Sequence, residues 1–241
     1  MIAATEKLHD CNWVMISWRI AAGTTANRLT GLAGVAGALL FFVGDMLFYG
    51  HWGSGTEFHE GMIEVLRDGS LTRLFIGGLV GPIAACLCLI GCWHVRGNVI
   101  GRSPLVGRVA FLSLAATMVI GSAVHALWVP RGLAMKYSDL IAPVAPELIT
   151  ALKNYWSLAY QMAEVPAYGA AILLLIIVLF GQTRYPRWTA LANFGLLSLL
   201  ESFASQVPYP VGAIVVGGFT NLSIAVFFLV SVLSTWNATE V

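Results

Sequence analysis

Charge is what this chain has least of. Lys and Arg number 13 and Asp and Glu 12 in 241 residues, 10% in all, against 58% hydrophobic residues. A soluble domain carries about 25% charged residues. So few charges cannot cover a water-facing surface, which excludes an ordinary soluble globule and makes lipid the solvent. The formal net charge is +1 and no Lys/Arg run occurs. That excludes the basic footprint of a nucleic-acid binder.

Cysteine is scarce too. Cys11, Cys86, Cys88 and Cys92 are the four, with no CxxC among them. The last three fall in the apolar stretch "CLCLIGC" and read as small, soft membrane side chains rather than a redox or metal motif. Signatures of soluble enzymes are also missing: no Walker loop, no nucleophile elbow, no strand-flanked GxGxxG. "HEGMIE" (59–64) has Ile63 where a zincin motif needs its second histidine. His51, Glu57, His59, Glu60 and Glu64 therefore read as a solvated helix face, and neither a metal nor another cofactor is expected.

Long apolar runs dominate what is there. A membrane span needs about 20 mostly apolar residues. Six stretches qualify: 30–50, 73–95, 105–128, 155–180, 187–207 and 211–236. The expected fold is all-α, an integral membrane bundle of six transmembrane helices over 30–236. A short interfacial segment (1–29) precedes it, with Trp13 and Trp18 at headgroup level, and a tail (237–241) follows. The alternative for 1–29 is a cleaved leader, since Ala-Ala-Gly at 21–23 is similar to a cleavage site.

Six passes put both termini on one side. That side holds Lys7, Arg19, Arg28, Arg96, Arg102, Arg108, Arg184 and Arg187; the other holds Arg67, Arg73, Arg131, Lys136 and Lys153. The excess of basic residues places both termini in the cytoplasm of a cell inner or plasma membrane. On the outer side, Phe58, Met62, Val65 and Leu66 recur at helical spacing and predict an amphipathic surface helix over 57–68. Pro146 suits a first helical turn, so the fourth span begins near Glu147 and projects beyond the bilayer.

Polar residues inside these stretches fall at one depth. Counted from the side of the termini, Asp45 lies about 22 Å along the first span, His125 about 26 Å along the third, Glu164 about 24 Å along the fourth, Glu201 about 21 Å along the fifth and Asn221 about 22 Å along the sixth. The second span has "IGGLVGP" (76–82) at that level: either a cavity wall or a close helix contact. Three buried carboxylates are costly and repel one another, so at least one is expected to hold a proton at neutral pH. Glu164 also stands two residues before Pro166, which frees the Met162 carbonyl.

Aromatic residues accompany the acids. Trp156, Tyr160 and Glu164 follow at i, i+4, i+8; Asp45 and Tyr49 are an i, i+4 pair; His125 precedes Trp128 and Arg131. The expected site is a polar chamber in the outer half of the membrane. Asp45, His125, Glu164 and Glu201 are its candidate acid–base groups, and Tyr49, Trp128, Trp156, Tyr160 and Asn221 its candidate substrate contacts. The bland alternative is that Asn221 glues helices and that Tyr49 and Trp128 form an interface belt.

Several stretches carry a resemblance: "GDMLFYG", "GGLVGPIAACLCLIGCWHV", "HALWVP", "GQTRYPRW" and "GGFTNLSIAVFFLVS". On these the chain resembles a bacterial family of multi-pass membrane proteins of unknown function over about residues 28–235. That resemblance implies topology and no activity. In architecture alone the chain is similar to small integral-membrane terpene cyclases and sterol isomerases, which also set acids and aromatics inside a helical bundle. Two functions follow as expectations. One is an enzyme isomerising or cyclising a lipid or isoprenoid that arrives from the bilayer; its partners are membrane lipid and a hydrophobic small molecule. The other is a small transporter or proton-linked sensor, against which the lack of an inverted repeat between 30–128 and 155–236 counts.

Overall fold

The computed structural model describes residues 24–99, 104–181 and 183–237. The interfacial segment expected before residue 24 lies outside the described residues, whereas 24–29 form the first turns of a helix. In chain order the helices are α1 (Thr24–Tyr49), α2 (Phe58–Asp68), α3 (Leu71–Val99), α4 (Pro104–Lys136), α5 (Ser138–Ile141), α6 (Pro146–Phe180), α7 (Phe194–Ser198), α8 (Glu201–Ala204) and α9 (Gly212–Ser234). A 3-10 turn, Gly55–Glu57, precedes α2, and a second, Arg187–Ala192, precedes α7. Among the described residues no strand forms, so the fold is an all-α membrane bundle.

Among the described residues five helices are long and apolar enough to span a membrane: α1, α3, α4, α6 and α9. The fifth apolar stretch, 187–207, is not the single helix expected. It breaks into the second 3-10 turn, α7 and α8. Polar side chains there compete for the backbone. Thr189 Oγ1 donates to the Pro186 carbonyl (2.8 Å), and Asn193 Nδ2 donates to the Ala171 carbonyl of α6 (2.9 Å). Asn193 Oδ1 meanwhile accepts from the Gly195 N–H (2.9 Å) and starts α7 as its N-cap.

This broken strap still runs the length of the bundle. At its start Arg184 N–H donates to the Asn98 carbonyl at the C-terminal end of α3 (3.0 Å). At its end Gly55 N–H donates to the Val207 carbonyl (2.9 Å), and Gly53 and Ala213 are joined beside it. The base of the bundle thus holds Asn27, Asn98 and Thr235, and the far end holds Gly53, α2 and α5.

The long helices pack in the order α9–α1–α3–α4–α6. The α1–α3 contact is set by glycine: a Cβ on Gly34 would lie 2.9 Å from the Gly91 Cα and 2.7 Å from a Phe228 ring carbon. One apolar core, with Phe41, Cys88, Leu114, Leu174 and Phe228, fills the base half. A smaller one, with Phe48, Tyr49, Leu66, Leu74 and Trp128, lies under α2 at the far end. There α2 is the expected amphipathic helix, with Leu66 buried and Glu60 and Glu64 outward.

The ring is open between α6 and α9. The strap fills that gap in the base half, where its 3-10 turn and α7 pack on both α6 and α9. In the far half α8 packs on α9 but makes no substantial contact with α6, and α6 makes none with α9. Tyr160, Met162 and Val165 of α6 are consequently exposed, as is Phe203 of α8.

Candidate functional site

Asp45 is buried on α1, 6% exposed, in the far half of the bundle. Its Oδ2 accepts a hydrogen bond from Asn221 Nδ2 of α9 at 2.6 Å. Its Oδ1 lies 3.5 Å from His125 Nε2 of α4, also 6% exposed. Three helices therefore bring an acid, an imidazole and an amide to one point. The glycines of 76–82 make this possible by close contact. A Cβ on Gly81 would collide with the His125 side chain, and one on Gly77 would lie 2.8 Å from the Phe48 ring. His125 is further held against Phe41 and Phe48, with ring centroids 4.8 and 5.6 Å away. Its Nδ1 is buried without a hydrogen-bond partner among the described residues.

The four aromatic candidates make one continuous run. Tyr49 and Trp128 have centroids 5.1 Å apart, Trp128 and Trp156 4.9 Å, and Trp156 and Tyr160 5.3 Å in a stacked arrangement. Tyr49 donates its hydroxyl to the Gly217 carbonyl of α9 at 3.1 Å. Tyr160 ends the run at the exposed α6 edge of the gap.

Glu164 and Glu201 do not join the Asp45 cluster. Glu164 is half-buried on α6 at one rim of the gap, and Glu201 is exposed at the start of α8 on the other rim. The depth counted for Glu201 assumed α-helical rise. The strap's 3-10 turn rises about 2.0 Å per residue rather than 1.5 Å, so that count does not hold for it.

Outside the spans, Glu57 accepts the Ser54 backbone N–H at 2.9 Å in a capping box, which holds its carboxyl below the usual range. His51 Nδ1 lies 3.0 Å from the Tyr49 carbonyl, and its ring stacks on Phe58. Among the described residues no three His, Cys, Asp or Glu side chains gather as metal ligands.

A family model described as a family of unknown function (DUF6796) matches residues 18–238. The chain belongs to that family. The match begins before residue 28, where the quoted likeness starts, and reaches into the residues ahead of α1. No curated protein and no solved structure matches the chain. Membership in DUF6796 carries no activity, so chemistry must be read from the side chains.

Two groupings escaped the sequence reading. One is the packing of Arg131, noted in the sequence only as an outer-side charge following His125 and Trp128: its guanidinium lies 4.4 Å from the Trp128 ring and 4.1 Å from the Trp156 ring. The other is a buried network at the base. Asn27 Nδ2 donates to the Thr235 carbonyl (3.3 Å), His94 Nδ1 lies 2.9 Å from the Asn27 carbonyl, and Asn98 Nδ2 donates to Asn27 Oδ1 (3.1 Å). Beside it Tyr185 and Ser231 hydroxyls meet at 2.6 Å, lining a cavity of about 20 Å³, room for one water. Its side chains are neutral amides, hydroxyls and one imidazole, bonded mostly to one another, which marks a structural bolt between α1, α3 and α9.

Proposed function

We propose that this protein is an intramembrane enzyme that performs acid–base chemistry, isomerisation or cyclisation, on a lipid or isoprenoid. The observation that carries the reading is the gap between α6 and α9 in the far half of the bundle. It faces the bilayer sideways, with a carboxyl residue on each rim, Glu164 on α6 and Glu201 on α8, and Tyr160 of α6 exposed beside it. A hydrophobic substrate reaches such a gap without leaving lipid.

In this reading a protonated carboxyl, Glu164 or Glu201, adds its proton to a substrate double bond. The faces of Tyr160 and Trp156 stabilise the carbocation that forms. Asp45, paired with His125, takes a proton from a neighbouring carbon. The double bond has then moved or a ring has closed. No electrons are gained or lost, and proton exchange between the carboxyl groups resets the site. Asn221 holds Asp45 in place. The membrane is the cell inner or plasma membrane, with both termini cytoplasmic on the excess of Lys and Arg at the base. The site then faces the outer leaflet.

A second reading, a proton-linked transporter or sensor, rests on the burial of Asp45 and His125, which suits a group that holds and releases a proton. Asp45→Asn, Glu164→Gln and Glu201→Gln, each checked for folding, separate the two. Loss of a specific lipid from extracts of expressing cells supports the enzyme. Loss of an acid response with unchanged lipids supports the second reading. Wild-type behaviour of all three variants sinks both.

A further inference from the structure

Among the described residues two basic side chains at the far end of the bundle are bound to backbone carbonyls. Arg73 Nη2 donates to the Met46 and Gly50 carbonyls, each at 2.6 Å, and closes the end of α1. Lys136 Nζ donates to the Arg67 and Gly69 carbonyls at 2.9 and 2.8 Å and closes the end of α2. These are the helix ends where cations belong. Arg131 differs. It lies against both the Trp128 and Trp156 rings, which touch each other, and makes no hydrogen bond or ion pair among the described residues; its Nη1 is buried without a partner. Beside it the Trp156 Nε1–H is a second buried donor without a partner. Buried donors left unpaired are rare, and two in contact around an unneutralised cation call for an acceptor from elsewhere.

We propose that Arg131 and Trp156 form a binding site for the phosphate head of a lipid, with the tail lying along the exposed face of α6. A guanidinium held against two rings has its orientation fixed before a phosphate arrives, and phosphate is an acceptor it pairs with well. The same α6 face continues from Trp156 to Tyr160 and Glu164. Eight residues of helix separate Trp156 from Glu164, about 12 Å along the axis. A lipid held by its phosphate at Arg131 therefore places a carbon about 12 Å from its head beside Glu164 and the α6–α9 gap. The inference deepens the enzymatic reading only in naming the substrate as a phosphate-bearing amphiphile; the binding site itself stands without catalysis.

The test is lipid binding to the full chain in detergent micelles, followed by native mass spectrometry. The probes are dioleoyl phosphatidic acid, dioleoylglycerol with the same tails and no phosphate, and inorganic phosphate alone. Phosphatidic acid is expected to bind at least tenfold more tightly than dioleoylglycerol. Arg131→Gln is expected to lose that preference, Arg131→Lys to keep part of it, and Arg108→Gln, exposed at the opposite end, to keep it all. Trp156→Phe, which removes the Nε1–H with the indole's five-membered ring and keeps a six-membered one, is expected to weaken binding several-fold and serves if Arg131→Gln fails to fold. Equal binding of the two lipids, or a preference that survives Arg131→Gln, overturns the proposal. Arg131-dependent binding of inorganic phosphate as tight as that of phosphatidic acid overturns its lipid part. A retained phosphate preference with inactive chemistry would sink the enzymatic reading alone.

Discussion

Asp45 is held by one strong contact and one loose one, and the difference is measurable. The Asn221 amide at 2.6 Å is a short hydrogen bond between an amide and a carboxyl group in a dry setting. Asn221→Ala removes it and leaves a buried carboxyl short of a partner, an expected loss of about 1–3 kcal/mol, read as a lower melting temperature in detergent. His125→Ala should cost more. It opens a void against Phe41 and Phe48 as well as unpairing Asp45, an expected loss of about 2–4 kcal/mol by the same measurement. These three residues were legible in the sequence because each is a polar side chain deep in an apolar stretch, and rise per residue alone put them level. Arg131 was not. Its meaning depends on Trp156, which α4–α6 packing supplies, although Trp128 three residues before it was in view. Asn27, His94 and Asn98 were hidden for a related reason: they sit at helix ends, where polar residues are ordinary, and their partners lie up to 208 residues away.

At the level of elements, glycine sets how close α1 and α3 come. Gly34→Ala would press a methyl on the Gly91 backbone, which cannot rotate aside. The expected cost is about 1–3 kcal/mol, again as a drop in melting temperature, with Gly97→Ala, which meets open space, as the silent comparison. The Ser54–Glu57 cap before α2 gives a pH dependence. Its carboxyl is held below the usual range, so its contribution is complete above the ordinary carboxylate range, near pH 4, and fades as pH falls through the lowered value. Amide protection at 54–58, taken relative to the intrinsic exchange rate at each pH, should therefore fall on acidification, and Glu57→Gln should remove that fall; an unchanged loss of protection in that variant counts against the assignment. The long helices and α2 were readable from apolar length and from 3.6-residue spacing. The strap was not, because composition reports that a stretch is apolar and not that Thr189 and Asn193 will bond to its backbone.

Taken whole, the described residues form five long apolar helices and one irregular strap running the length of the bundle, and that makes sidedness testable. Five passes would put residues 97 and 237 on opposite faces of the membrane; the strap's full traverse puts them on one face, with residue 60 on the other. Cysteine placed at Gly97, Glu60 and Asn237 in a cysteine-free chain should be labelled by an impermeant maleimide as two from one side and one from the other. Gly97 and Asn237 reacting from opposite sides would exclude the crossing strap.

The bolt at the base also has a consequence for manufacture. Asn27 closes its bonds on Thr235, so α1 waits for the end of α9. During synthesis α1 enters the bilayer with Asn27 and Asp45 both lacking their α9 partners. A ribosome stalled before α9 leaves those two polar groups facing whatever escorts the nascent chain. Quality control that patrols the membrane for stray polar side chains has, in that half-built protein, a clear flag to read.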